Sequence, residues 1–241
     1  MLLLASRREE QRSVTLRTYQ AHPTRVYNNC GMKPQKVVQL EIDFDWYTSD
    51  PHYGHENVIK YCNRPFRSIG QMDRVFINNW NELVKPTDKI AVIGDFSLSM
   101  KPVLDVTPQL NGEKYLFVGN HDKCWPRKPV MWEKVVEYKA AGWHEVYIEA
   151  INTITLNGKR VQIHMAHLPY KPGEAELAAA EGYELRYLDQ RPEDEGKILL
   201  HGHVHQHWKL KGRMLNVGVD VWDYKPASKV QIEEILRDTL G

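Results

Sequence analysis

Five times in this chain a short apolar run stops abruptly and gives way to small polar residues and side chains that bind metal. The clearest case is the string EKYLFVGNHD. Its Tyr115 to Val118 read as a buried strand, and Gly119 is followed at once by Asn120, His121 and Asp122. In open α/β sheets, binding groups gather just past the carboxyl ends of strands. A glycine there lets the backbone turn sharply and lets a second group come close. The other four runs end in Asp50 with His52, in Gly94-Asp95, in Ala166-His167, and in Gly202-His203-Val204-His205.

Between these runs, period and punctuation predict the remaining elements. Residues 37–47 alternate towards a strand, 56–62 form a short helix, and 72–85 carry apolar residues at helical spacing closed by Pro86. Residues 89–93 read as a buried strand and 102–111 as a short helix or turn. A helix over 130–141 has Gly142 just past it as a cap. Strands follow over 146–148, 153–156 and 160–165, the last two joined by the hairpin signal Asn157-Gly158. The polar stretch 171–196 offers only a weak helix around 174–180. Strands over 197–200 and 214–217 come next, the second followed by Gly218-Val219-Asp220. Ser228 and Gln231 then form a capping box for a helix through about Asp238.

At 241 residues, one sizeable core is the better expectation than two. The first 36 residues stand apart: seven Lys and Arg against Glu9 and Glu10, with no convincing periodicity. They read as a basic extension before a domain over 37–241, either a solvated arm or a nucleic-acid-binding one. The rest of the charge is balanced, 32 basic against 31 acidic residues, which argues neither for nor against a polyanionic partner. Three cysteines without CxxC spacing suit a reducing compartment. No stretch approaches transmembrane length, so a cytoplasmic protein with no membrane partner is expected.

Collected together, the strand ends offer Asp50, His52, Asp95, Asn120, His121, His167, His203 and His205. This mixed set of carboxylate, imidazole and amide exceeds what one ion needs and fits two divalent ions, with one carboxylate able to bridge them. Paired ions roughly 3.5–4 Å apart activate a water and steady both oxygens of an in-line phosphoryl displacement. The imidazoles favour manganese, with iron or zinc as alternatives, over magnesium or calcium.

The five ordered strings resemble the motifs of the calcineurin-like metallophosphoesterases over about residues 45–220. The fuller strings around Asp50 and around Arg64-Pro65-Phe66 are similar to a small single-domain bacterial and phage type. The resemblance implies an αββα fold, two sheets packed as a sandwich and flanked by helices. It implies Asp50, His52 and His205 on a first metal, Asn120, His167 and His203 on a second, and Asp95 bridging. His121 would contact the phosphate and protonate the leaving oxygen, with Asp122 orienting it.

The implied activity is a dinuclear phosphodiesterase acting on small phosphodiesters, cyclic nucleotides among them, as a monomer or homo-oligomer. The alternatives are a phosphomonoesterase or nuclease of the same family, or a non-catalytic scaffold. His164 competes with His167 for the fourth motif, and His167 is preferred because His-Leu-Pro resembles the family's His-x-Pro. His55 and Arg64 are candidate substrate contacts alongside Asn120 and His121; the alternatives are that His55 packs its own helix start and that Arg64 forms a structural salt bridge. The thiols of Cys62 and Cys124 read as buried or bystander groups.

Overall fold

The computed structural model describes residues 37–126, 128, 130–173 and 186–240. The basic extension and the weak helix expected around 174–180 lie outside the described residues.

Two sheets face one another. One has five strands, ordered β11-β2-β3-β4-β5: β2 (Trp46–Thr48), β3 (Lys89–Val92), β4 (Glu113–Phe117), β5 (Trp143–Tyr147) and β11 (Ala227–Ser228). The other has six, ordered β1-β6-β7-β8-β10-β9: β1 (Val38–Leu40), β6 (Glu149–Leu156), β7 (Lys159–Ala166), β8 (Ile198–His201), β9 (Leu210–Lys211) and β10 (Met214–Asn216). Strands β2 to β5 run parallel, as do β7, β8 and β10; β6 and β7 form the antiparallel hairpin. Asn157 and Gly158 at its turn have φ of 52° and 74°, the left-handed pair that a two-residue hairpin requires.

Period two sorts the core. Ala91 and Ile93 face the second sheet with Phe117, meeting Ile163, Met165 and Leu200. Ile90 and Val92 face the helical layer. Both faces of the five-stranded sheet are therefore buried, which is why β3 and β4 read as unbroken apolar runs. The covering helices are α1 (Glu56–Tyr61), α2 (Ile69–Leu83), α3 (Met100–Val106) and α4 (Met131–Ala140). Helix α2 buries Met72, Phe76 and Trp80 on one face. It begins before the expected residue 72 because Ser68 Oγ accepts from Gln71 N and caps it. The last helix (Lys229–Leu240) starts at the expected capping box: Gln231 N donates to Ser228 Oγ, and Ser228 N donates to Gln231 Oε1.

Two expectations fail, both where the chain changes sheets. The strand expected over 146–148 is instead the end of β5, which breaks at Ile148 before β6 begins in the other sheet. Residues 37–47 are two strands in different sheets rather than one. The chain leaves β1, is held by Asn152, whose side chain bonds both Ile42 N and Ile42 O, and enters β2 after burying Phe44 between the sheets.

Candidate metal centre

Strands β2, β3, β4, β7 and β8 all deliver their carboxyl ends to one edge of the sandwich. Backbone bonds stitch these ends together. Asp50 N donates to Gly94 O, His52 N to Asp95 O, and Gly202 N to His167 O. Asp50, His52, Asp95, His203 and His205 all have φ between 49° and 71°. Non-glycine residues in this region cost on the order of 1–3 kcal/mol each, and such strain clusters at functional sites. Two glycines permit the close approach. A Cβ on Gly94, whose φ is 87°, would lie 2.5 Å from His167 Nδ1, and one on Gly202 would overlap Ser49 Oγ and Asp50 Oδ2.

The side chains converge as two groups. In the first, His52 Nε2 lies 3.8 Å from Asp50 Oδ1, and His205 Nε2 lies 3.9 Å from the same oxygen. In the second, His203 Nδ1 and Asn120 Oδ1 stand 3.0 Å apart, with the His167 ring edge-on to that of His203. Asp95 Oδ2 sits between the groups, 3.6 Å from His52 Nε2 and 3.3 Å from His167 Nε2. Asp50 also comes within ligand reach of Asp95 and His167, so it is less confined to the first group than expected.

These residues fit a metal. Among the described residues both ring nitrogens of His52 are buried without a hydrogen bond, and His167 Nε2 has only the Asp95 carboxylate, 3.3 Å away, an arrangement that costs free energy unless a ligand engages them. Burial holds His52 and His203 well below the ordinary histidine range, leaving neutral imidazoles able to ligate. Burial opposes charge on His167 as well, but Asp95 and then Asp50 outweigh it and raise that group to about 9. The centre of the site thus attracts positive charge.

Further residues position these candidate ligands. His205 Nδ1 is 3.0 Å from Asp220 Oδ2, and Asn216 Nδ2 donates to His205 O. Arg64 pairs with Asp220, and its remaining donors go to Asp50 O, Pro51 O and Met72 Sδ. The guanidinium is buried and committed to this ion pair, the structural alternative to a substrate contact.

Asp122 also differs from expectation. Its oxygens accept from the backbone N–H groups of Asp95, Phe96 and Gly119, and none of its hydrogen bonds goes to the His121 imidazole. It ties the β3 and β4 strand ends together. His121 itself is pinned through its backbone, with N–H to Asp95 Oδ1 at 2.8 Å and carbonyl accepting from Lys128 Nζ at 2.9 Å. Its side chain is 43% exposed, beside the ring of His52.

His55 reaches the rim of the site, its ring centroid 5.7 Å from that of His52. His164 does not. Its Nε2 is 3.6 Å from Glu149 Oε2, in a separate polar pocket with Gln39 and Gln162, whereas His167 joins Asp95 and Asp50. His201 is buried against Trp208 and bonds Gly202 O. Both Cys62 and Cys124 are buried, and Cys62 stands within ligand reach of His205 and Asp220.

Sequence reasoning left Asp220 without a role, although it too follows an apolar run and a glycine. It also left out Lys128 and Tyr187, which carry no strand-end signal.

No protein-family model matches the chain. An uncharacterised protein of Methanocaldococcus jannaschii is 30% identical over 183 residues, spanning 75% of this chain and 84% of that protein. The chain belongs to its family. The Gene 66 protein of Mycobacterium phage L5 is 27% identical to this family member over 193 residues, 73% of this chain and 86% of the phage protein. Among solved structures, a protein of unknown function from Aquifex aeolicus is 28% identical with a TM-score of 0.55. That match covers 79% of this family member and 97% of the other chain.

Proposed function

We propose that this protein is a dinuclear metal-dependent phosphoesterase of calcineurin-like type that prefers small phosphodiesters. One observation carries the reading: Asp95 Oδ2 faces His52 Nε2 and His167 Nε2 from between two ligand groups, as a bridging carboxylate must. Asp50, His52 and His205 would hold one ion, and Asn120, His167 and His203 the other. The imidazole content favours manganese, iron or zinc. When bound, a pair of divalent ions supplies Lewis acidity and a nucleophile at neutral pH.

The chain's own residues do the rest. His121 extends into solvent beside His52, where its imidazole can protonate a leaving oxygen as general acid. Lys128 fixes the His121 carbonyl, and Asp122 fixes the backbone on which Asp95 and Asn120 stand. Asp220 and Arg64 hold the His205 ring in one orientation, as carboxylates commonly do for ligating histidines.

Hydrolysis by metal-stripped protein before and after adding Mn²⁺, on an activated phosphodiester and the matching monoester, tests the reading. Restored turnover favouring the diester is expected. A monoester preference would make the protein a phosphatase. Two bound metals without turnover on either would point to a nuclease or a scaffold. Among the described residues no helix is long and apolar enough to cross a membrane.

A further inference from the structure

One aromatic side chain reaches the metal centre from outside the five strand ends. Tyr187 lies in the polar segment before β8 with φ of 58°, a region where bulky side chains are rare. A 3-10 turn (Leu188–Gln190) follows it, and both Gln190 N and Arg191 N donate to the Tyr187 carbonyl. Trp125 Nε1, three residues past the Gly-Asn-His-Asp string, donates to Gln190 Oε1 at 3.2 Å and fastens the turn beside the site. The phenol ring meets His203 edge-on, with centroids 5.6 Å apart and planes at 78°.

The hydrogen-bond pattern leaves a donor available. Asn120 Oδ1 is 3.0 Å from His203 Nδ1, so the amide nitrogen must face the other way, and Nδ2 donates to Tyr187 Oη at 3.4 Å. As the acceptor in that bond the phenol keeps its own proton. No other hydrogen bond engages the hydroxyl among the described residues. His121 leans on His52 of the first ligand group, and Tyr187 leans on His203 of the second. Two side-chain donors therefore flank the centre.

We infer that Tyr187 is a substrate-contacting residue whose hydroxyl donates to a non-bridging phosphoryl oxygen on the Asn120–His203 side. This inference rests on the phosphoesterase reading for its substrate class. It differs from a merely structural role, in which Tyr187 would act by orienting the Asn120 amide.

Inorganic phosphate is the probe. Mn²⁺-loaded wild type and Tyr187→Phe are compared by calorimetry with phosphate, by Mn²⁺ affinity, and by kcat and KM on the activated diester. A hydrogen bond to a charged oxygen predicts phosphate binding weaker by about 10-fold or more, and a similar fall in kcat/KM, in the variant. Mn²⁺ affinity should stay at the wild-type value. Unchanged phosphate binding overturns the proposal. So does a parallel loss of Mn²⁺ affinity, which would assign Tyr187 to positioning Asn120, and so does a wild type that binds no phosphate. Hydroxyl-dependent phosphate binding without turnover would keep the contact and defeat only the hydrolase reading.

Discussion

Arg64 grips Asp220 through two parallel contacts, Nε to Oδ1 at 2.7 Å and Nη2 to Oδ2 at 2.8 Å. The residues are 156 positions apart, and both side chains are essentially inaccessible to water. The pair joins the loop after α1 to the loop after β10 and, through Asp220, sets the His205 ring. Asp220→Asn should weaken Mn²⁺ binding by roughly 10–100-fold, the usual cost of losing a carboxylate behind a ligating histidine. It should also lower the melting temperature, because a buried guanidinium is left undercompensated. Arg64→Lys, which loses the fork, should do the same in milder form. An Arg64→Lys protein with normal metal content and melting temperature but a raised KM would return Arg64 to substrate binding.

Asp95 offers one oxygen to both ligand groups and the other to His121 N. Asp95→Ala should therefore strip both ions rather than one and abolish turnover. Metal analysis of the purified variant decides it, since a protein retaining one full equivalent would mean that Asp95 serves a single ion.

His121 meets the candidate ligand groups only from the rim, its Nε2 4.0 Å from Asp95 Oδ2. His121→Ala should keep its metal and lose roughly 10²–10⁴ in kcat, the range of a general acid. Metal loss in step with activity would make His121 a ligand instead.

Gly202 has Ser49 Oγ and Asp50 Oδ2 where a Cβ would go. Gly202→Ala should cost about 1–3 kcal/mol of stability by overpacking and displace Asp50 from its ligand position. Gly173→Ala, where no described residue lies within 4 Å of an added Cβ, is the control. Equal melting temperatures for the two variants would show that the strand ends can relax apart.

Asp73 on α2 accepts from Gly54 N, and burial is the main cause that raises its pKa to about 6 from the ordinary 3.8. The folded state thus holds this proton more tightly than the unfolded chain. Stability from Asp73 is present below about pH 4 and falls as pH rises to about 6. Asp73→Asn should remove that slope, so its melting temperature should gain on wild type between those pH values and keep the gain at neutral pH. Parallel melting curves across the range would refute the assignment.

Much of this architecture was legible because its signals are local. The Asn157-Gly158 turn, the Ser228–Gln231 capping box and the runs of β3 and β4 each depend on residues within one element. The strand ends were legible for the same reason, since a ligand following an apolar run is a short-range pattern. Residues 37–47 misled because alternation cannot show that a chain changes sheets; the Asn152 side chain that holds Ile42 lies 110 positions away.

By itself the sequence determined the α/β layering, the five strand ends and the donor types they carry, all consequences of hydrophobic period and local chain chemistry. Only the tertiary structure decided which oxygen of Asp95 faces both imidazole groups, and that Arg64 is consumed by Asp220. It alone showed that Asp122 braces backbone rather than His121, and that Tyr187 stands beside Asn120. Those choices turn on contacts between residues tens to more than a hundred positions apart. Their energies depend on packing, burial and left-handed backbone angles that no local pattern encodes.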